Sequence, residues 1–234
     1  MVRHVPVAKP AAAPRQHGPG RPKDLGKRAA VLDAARRLFI EQGYERVSMD
    51  QISAAAGVSK LTVYSHFGDK ATLFGAAIRA QCEALIPDEL FIADTGADLR
   101  ERLDAIGHAF FALVTSPEAL ATQRAMQDLA NADKHLSQLF WCAGPERVMN
   151  ALGGLLRVHI ERGDLDIPED ALPRAASQLF SLLKGELHAR MTCGVALPCN
   201  QTEVDAHIAA TVDFFLRTYA PRCCLLYTSP SPRD

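Results

Sequence analysis

The chain has 234 residues, enough for one large domain or two modest ones, and its mix of 48% apolar, 23% charged and 6% aromatic residues is that of a globular protein with a buried core. No run of about 18 apolar residues occurs, which argues against a membrane-spanning helix, and residues 1–30 lack the apolar stretch of a signal peptide, so a cytoplasmic location is expected. The formal net charge of −1 conceals an asymmetry: residues 1–80 carry 13 Lys and Arg against 6 Asp and Glu, the remainder 13 against 21, so the first third is the part suited to a polyanion.

Residues 1–24 are rich in Pro, Ala and Arg and show no period, which predicts a disordered basic arm. Within it Gly20-Arg21-Pro22-Lys23 resembles the core of minor-groove AT-hook segments. Arg21 and Lys23 then either enter an A·T-rich groove or belong to a merely solubilising tail. A first helix is predicted over 25–42, where Val31, Leu32, Ala35, Leu38 and Phe39 share one face and Gly43 follows as a stop. Ser48 with Gln51 three residues on forms a capping box that opens a second helix ending near Ala56, and Gly57 makes the turn. Ser59 caps a third helix over 60–67, Gly68 breaks it, and Asp69 caps a fourth that stops before Pro87. Further helices are predicted near 97–115, 117–131, 133–142, 145–162, 170–192 and 201–219, with Pro117 and Pro145 in first turns. No strand and no internal repeat is evident, so the fold class is all-α: a three-helix helix-turn-helix domain over 25–70, then a larger helical domain over 71–221. Residues 222–234 have no helical period and read as a non-native or disordered tail.

Two short helices joined by a Gly-containing turn make a helix-turn-helix, whose second helix can enter a major groove. At about 100° per residue, Val63 and Phe67 fall on one inward side of the third helix while Leu61, Thr62 and Ser65 fall on the other. Hydroxyls and a thymine-sized apolar contact suit base edges. Tyr64 and His66 flank that face, Lys60 and Lys70 add positive charge, and Ser48 brings a hydroxyl and helix N-terminal amides to phosphate.

The run from Val47 to Lys70, VSMDQISAAAGVSKLTVYSHFGDK, with Ala35, Phe39, Gly43 and Tyr44 before it, resembles the N-terminal domain of the TetR/AcrR family over about 45 residues. The shared features are the AGVS turn, the xTxYxHF recognition helix and the following Lys. The resemblance implies phosphate contacts at Ser48, Lys60, Tyr64, His66 and Lys70, and base reading at Leu61, Thr62 and Ser65. The sequence departs from the pattern at Leu61, where many members carry Gly; a Leu there bars close backbone approach to the groove and is expected to alter base preference.

The resemblance also implies a C-terminal domain that dimerises through its last two helices and holds a small-molecule effector. Two apolar stripes fit that reading: Ala176, Leu179, Phe180, Leu183 and Leu187, then Val204, Ile208, Val212, Phe215 and Tyr219. Phe214, Phe215 and Leu216 in succession widen the second arc, and Ser177, Ser181 and Gly185 allow close helix approach. The stripes serve either a four-helix homodimer interface, with Leu179, Phe180, Leu183, Leu187, Ile208, Val212 and Phe215 at its centre, or the core of one protomer. His108, Phe111, Trp141 and Cys142 in the middle helices are candidates for effector contact, or for ordinary packing.

The six cysteines form no CxxC pair, so reduced thiols, no metal and no cofactor are expected, Cys193, Cys199 and His188 being the nearest approach to a ligand set. No Gly-rich phosphate loop, nucleophile elbow or grouped triad argues for an enzyme. The expected role is a DNA-binding regulator, a repressor released from a palindromic operator by a small molecule. The alternative is an activator or a constitutive binder with no inducer.

Overall fold

A computed structural model describes residues 25–93, 98–129, 134–195 and 200–221. Arg21, Lys23, Cys199 and the segment 222–234 lie outside them. Among the described residues every regular element is helical: α1 Leu25–Gln42, α2 Met49–Ala55, α3 Lys60–Phe67, α4 Lys70–Leu85, α5 Leu99–Thr115, α6 Pro117–Leu129, α7 Lys134–Ala143, α8 Pro145–Glu161, α9 Leu172–Thr192 and α10 Gln201–Thr218, with single 3-10 turns at Asp88–Phe91 and Glu169–Ala171. None of these helices is long and apolar enough to cross a membrane.

Local chemistry sets the starts. Ser48 and Gln51 cap each other, the Gln51 amide donating to Ser48 Oγ at 3.2 Å and the Ser48 amide to Gln51 Oε1 at 2.8 Å. Asp69, Asp98 and Asn200 each accept from the third residue of the helix that follows, at 2.7, 2.8 and 2.9 Å. Pro117 and Pro145 open α6 and α8, where a missing N–H costs no intrahelical bond.

Two cores result. The head core gathers Val31, Ala35 and Phe39 of α1, Ile52 of α2, and Val63 and Phe67 of α3. It does not end at residue 70: Leu73, Phe74 and Ala77 of α4, Met126 of α6 and Leu136 of α7 complete it. The body core packs α5 against α9 and α10, α8 against α9, and the far end of α4 through Cys82. Helix α4 therefore has one end in each core, and Ile78 touches both.

The two C-terminal stripes close the body core of a single protomer. Leu179, Leu183, Ile208 and Val212 are fully buried, Phe180 and Phe215 nearly so, and Leu187 packs against them. Side chains with almost no remaining surface cannot meet a second subunit, so the dimer role expected of Leu179, Phe180, Leu183, Ile208, Val212 and Phe215 is not available to them, whereas Leu187 is only half-buried. Inside α9 the chain departs from helix at Gly185, whose φ of 52° and ψ of −158° suit a residue without Cβ. The His207 ring lies against it, and His207 Nε2 donates to the Leu183 carbonyl at 2.9 Å.

Candidate nucleic-acid interface and ligand cavity

The turn between α2 and α3 is set by Gly57 at φ 65° and by the Val58 amide donating to the Ser53 carbonyl at 3.0 Å. Helix α3 then buries Val63 and Phe67 and leaves Leu61 79% exposed, with Tyr64 and Ser65 also exposed and Thr62 half-buried. The outward face expected from periodicity is the face observed. Its hydroxyls are already engaged: Thr62 Oγ1 lies 2.8 Å from Ser59 Oγ, and Ser65 Oγ donates to the Thr62 carbonyl at 2.9 Å. Ser65 therefore presents lone pairs outward and keeps its proton inward.

The cations divide. Lys60 Nζ pairs with Asp50 Oδ1 at 2.8 Å, and that carboxylate raises the lysine pKa, keeping it charged. Both groups are exposed, so the pair is open to exchange for a phosphate. Lys70 is held inward: its Nζ donates to the Tyr44 carbonyl at 3.0 Å and sits 4.2 Å from the Tyr44 ring centroid. The phosphate contact expected of Lys70 does not match this geometry; the side chain instead ties the start of α4 to the loop after α1. His66 is half-buried, its Nδ1 shielded and without a hydrogen-bond partner among the described residues. Arg28, which periodicity did not single out, lies 5.4 Å from the Phe67 ring centroid, on the flank of α3. Only its place in the basic pair Lys27-Arg28 hinted at it in the sequence.

A cavity of about 370 Å³ opens in the body between α4, α5, α6, α7, α8 and α9. Its walls are mostly apolar, with the Phe110 and Phe180 rings tilted against each other at 4.4 Å between centroids and Phe140 and Trp141 contributed by α7. Of the four sequence candidates only Trp141 lines it. Phe111 is buried elsewhere in the core beside His207, and Cys142 is exposed on the outer side of α7. His108 binds across to α10, its Nδ1 facing the Asp104 carbonyl at 2.8 Å and its Nε2 facing Asp205 at 3.0 Å. The sequence reading missed Lys184, which faces the cavity from α9. Among the described residues no three His, Cys, Asp or Glu side chains gather at a spacing that would hold a metal ion.

The outer faces of the last two helices carry apolar side chains with nothing over them in one protomer. Phe214 is 60% exposed, Leu182 is exposed, and Ala206 and Ala210 complete a stripe with Phe214 at i, i+4 and i+8.

Comparison with known proteins agrees with this architecture. A family model described as "Bacterial regulatory proteins, tetR family" matches residues 31–77, and one described as "AefR-like transcriptional repressor, C-terminal domain" matches 101–221. The chain is 36% identical over 103 residues to the HTH-type transcriptional activator FasR of Mycolicibacterium smegmatis, covering 44% of this chain and 46% of FasR. It is 29% identical over 189 residues to the HTH-type transcriptional regulator BetI of Rhizobium meliloti, covering 80% of this chain and 87% of BetI. The solved structure of the flavonoid-responsive regulator FrrA is similar at 32% identity and a TM-score of 0.68, covering 84% of this chain and 98% of that one.

Proposed function

The chain belongs to the TetR family of bacterial transcription regulators, and on that premise we propose that it is a homodimeric repressor that a small molecule releases from a palindromic operator. The observation behind it is the outward face of α3: Val63 and Phe67 anchor the helix while Leu61 and Ser65 stand exposed with the half-buried Thr62 between them. Leu61 and the Thr62 methyl suit a thymine methyl, and Ser65, acting as an acceptor, suits the amino group of adenine or cytosine. Ser48, Lys60, Tyr64, His66 and Arg28 fit the two phosphate walls, where contacts set affinity and register rather than choice of sequence.

Two such heads read a palindrome when their spacing is fixed by a dimer. The exposed stripes of α9 and α10, centred on Leu182 and Phe214, supply the surface for it. Repression is favoured over activation because the repressor-type C-terminal model spans residues 101–221, whereas the likeness to the activator FasR covers 44% of the chain.

Release by a ligand has a physical route. Helices α4, α6 and α7 each contribute to the head core, through Phe74, Met126 and Leu136, and each also lines the body cavity, through Gln81, Gln123 and Trp141. A molecule that fits the cavity better in one arrangement of these helices biases the placement of the heads. The similarity to FrrA, a flavonoid-responsive regulator, supports such coupling. The test is a band-shift and footprint on the purified chain with fragments of its own genome, followed by a small-molecule screen. A two-fold symmetric footprint lost on adding one compound is the expected outcome; an asymmetric single-head footprint would count against the dimer.

A further inference from the structure

Resting on the effector reading above, the geometry points to the chemical class of the effector: an apolar molecule with one negative charge, its anionic group paired with the Lys184 ammonium. Among the described residues Lys184 is the one charged side chain on the cavity wall, and none of those lining it is Asp or Glu. It is half-buried on α9 and makes no hydrogen bond or ion pair with any described residue. Glu186, the nearest acid on its own helix, faces Arg190 at 3.8 Å instead. Ser181, a turn earlier on the same wall, gives its proton to the Ser177 carbonyl at 2.8 Å and is left as an acceptor.

The region around Lys184 is thus short of negative charge. Burial lowers the Lys184 pKa, and burial together with the Lys184 charge lowers that of His188 one turn on. A neutral apolar ligand would seal this ammonium away from water with no partner, and a cationic ligand would meet a like charge. An anion answers both difficulties, with the Gln81 and Gln123 amides as further donors on the wall. Phe110, Phe180, Phe140 and Trp141 match an apolar or aromatic remainder, and a volume of about 370 Å³ sets a modest size.

The experiment titrates the full chain by calorimetry with two matched pairs, decanoate against decanol and naphthoate against naphthol. Trp141, the single tryptophan of the chain and part of the cavity wall, reports occupancy by its emission in the aliphatic pair. In at least one pair the acid is expected to bind about tenfold tighter than the neutral partner. Lys184→Met is expected to abolish that preference by weakening the acid while the neutral compound binds at least as tightly as before, since the cost of sealing off the ammonium is gone, and Lys184→Gln provides a second neutral variant should the first fold poorly. Equal affinity within both pairs, no binding by either acid, or a preference that survives in the Lys184 variants overturns the assignment. Duplex release is followed in parallel: an acid that binds without releasing duplex upholds the ligand class and removes the release mechanism. Release by acid and alcohol alike does the reverse.

Discussion

The head and the body of this protein are organised by interactions of different range. In the head, helices α2, α3 and α4 each begin at a cap, Ser48, Ser59 or Asp69, and the turn between α2 and α3 is made by Gly57 with backbone bonds from Gly57 to Ala54 and from Val58 to Ser53. In the body, the same kinds of helix are arranged by contacts between residues far apart in sequence: His108 with Asp205, His207 with Leu183, and α5 wedged between α9 and α10. The starts and turns of the head helices are thus locally encoded, although Met126 and Leu136 from later helices complete its core. The body is a packed frame with a cavity, where neighbours are chosen by tertiary fit.

The difference can be probed by substitutions that act on one region and spare the other. The largest effect is expected from Phe67→Ala, which empties the centre of the head core and costs about 3–5 kcal/mol. Hydrogen exchange should show α1–α3 opening while α5, α8 and α9 stay protected; loss of protection throughout would mean the two cores melt as one. Next, Leu182→Ser with Phe214→Ser should weaken self-association by about 2 kcal/mol or more with the helical signal intact, as sedimentation would show. Leu183→Ala, buried one residue away, should instead lower stability by about 2–5 kcal/mol. Gly185→Ala forces a left-handed backbone onto a residue with Cβ and drives that atom to 2.7 Å from His207, so a loss of roughly 1–3 kcal/mol in chemical denaturation is expected.

Two smaller effects concern charge. Asp50→Asn frees Lys60 and removes an anion beside the duplex, and should strengthen binding to all duplexes by about two- to fivefold in low salt. The reverse result would assign Asp50 a favourable contact of its own. His108 loses something to burial, but the Asp104 carbonyl and the Asp205 carboxylate outweigh it and raise its pKa. Its pairing therefore contributes in full below the ordinary histidine value and is lost as pH rises through the raised one. The exposed geometry limits this to under about 1 kcal/mol, measurable as a pH-dependent gap in thermal midpoint between the native chain and His108→Gln.

Much of the head was legible in the sequence because caps and periods are local: the capping box at Ser48, the span of α3, and the split between Val63 and Phe67 inward and Leu61, Thr62 and Ser65 outward. Lys70 escaped because its partner is the carbonyl of Tyr44, 26 residues away. In the body, periodicity identified which residues share a face but not what that face meets. Leu183 and Phe215 therefore looked equally fit for a partner subunit and for the protomer's own core. The surplus aromatic of the Phe214-Phe215-Leu216 run was the one sign that a side chain would be left outside. The cavity was legible only at Trp141, since a wall drawn from six helices has no spacing of its own, and Lys184 reads in sequence as an ordinary surface lysine.

On this reading the exposed side chains of α3 choose the base pairs. Selection from random duplexes with the purified chain and with Thr62→Ala tests it most directly. A two-fold symmetric consensus is expected, with the variant losing preference at one position in each half-site at a cost of about 1–3 kcal/mol and keeping the rest. A consensus unchanged by Thr62→Ala, Leu61→Ala and Ser65→Ala alike, or no consensus at all at moderate ionic strength, would contradict it.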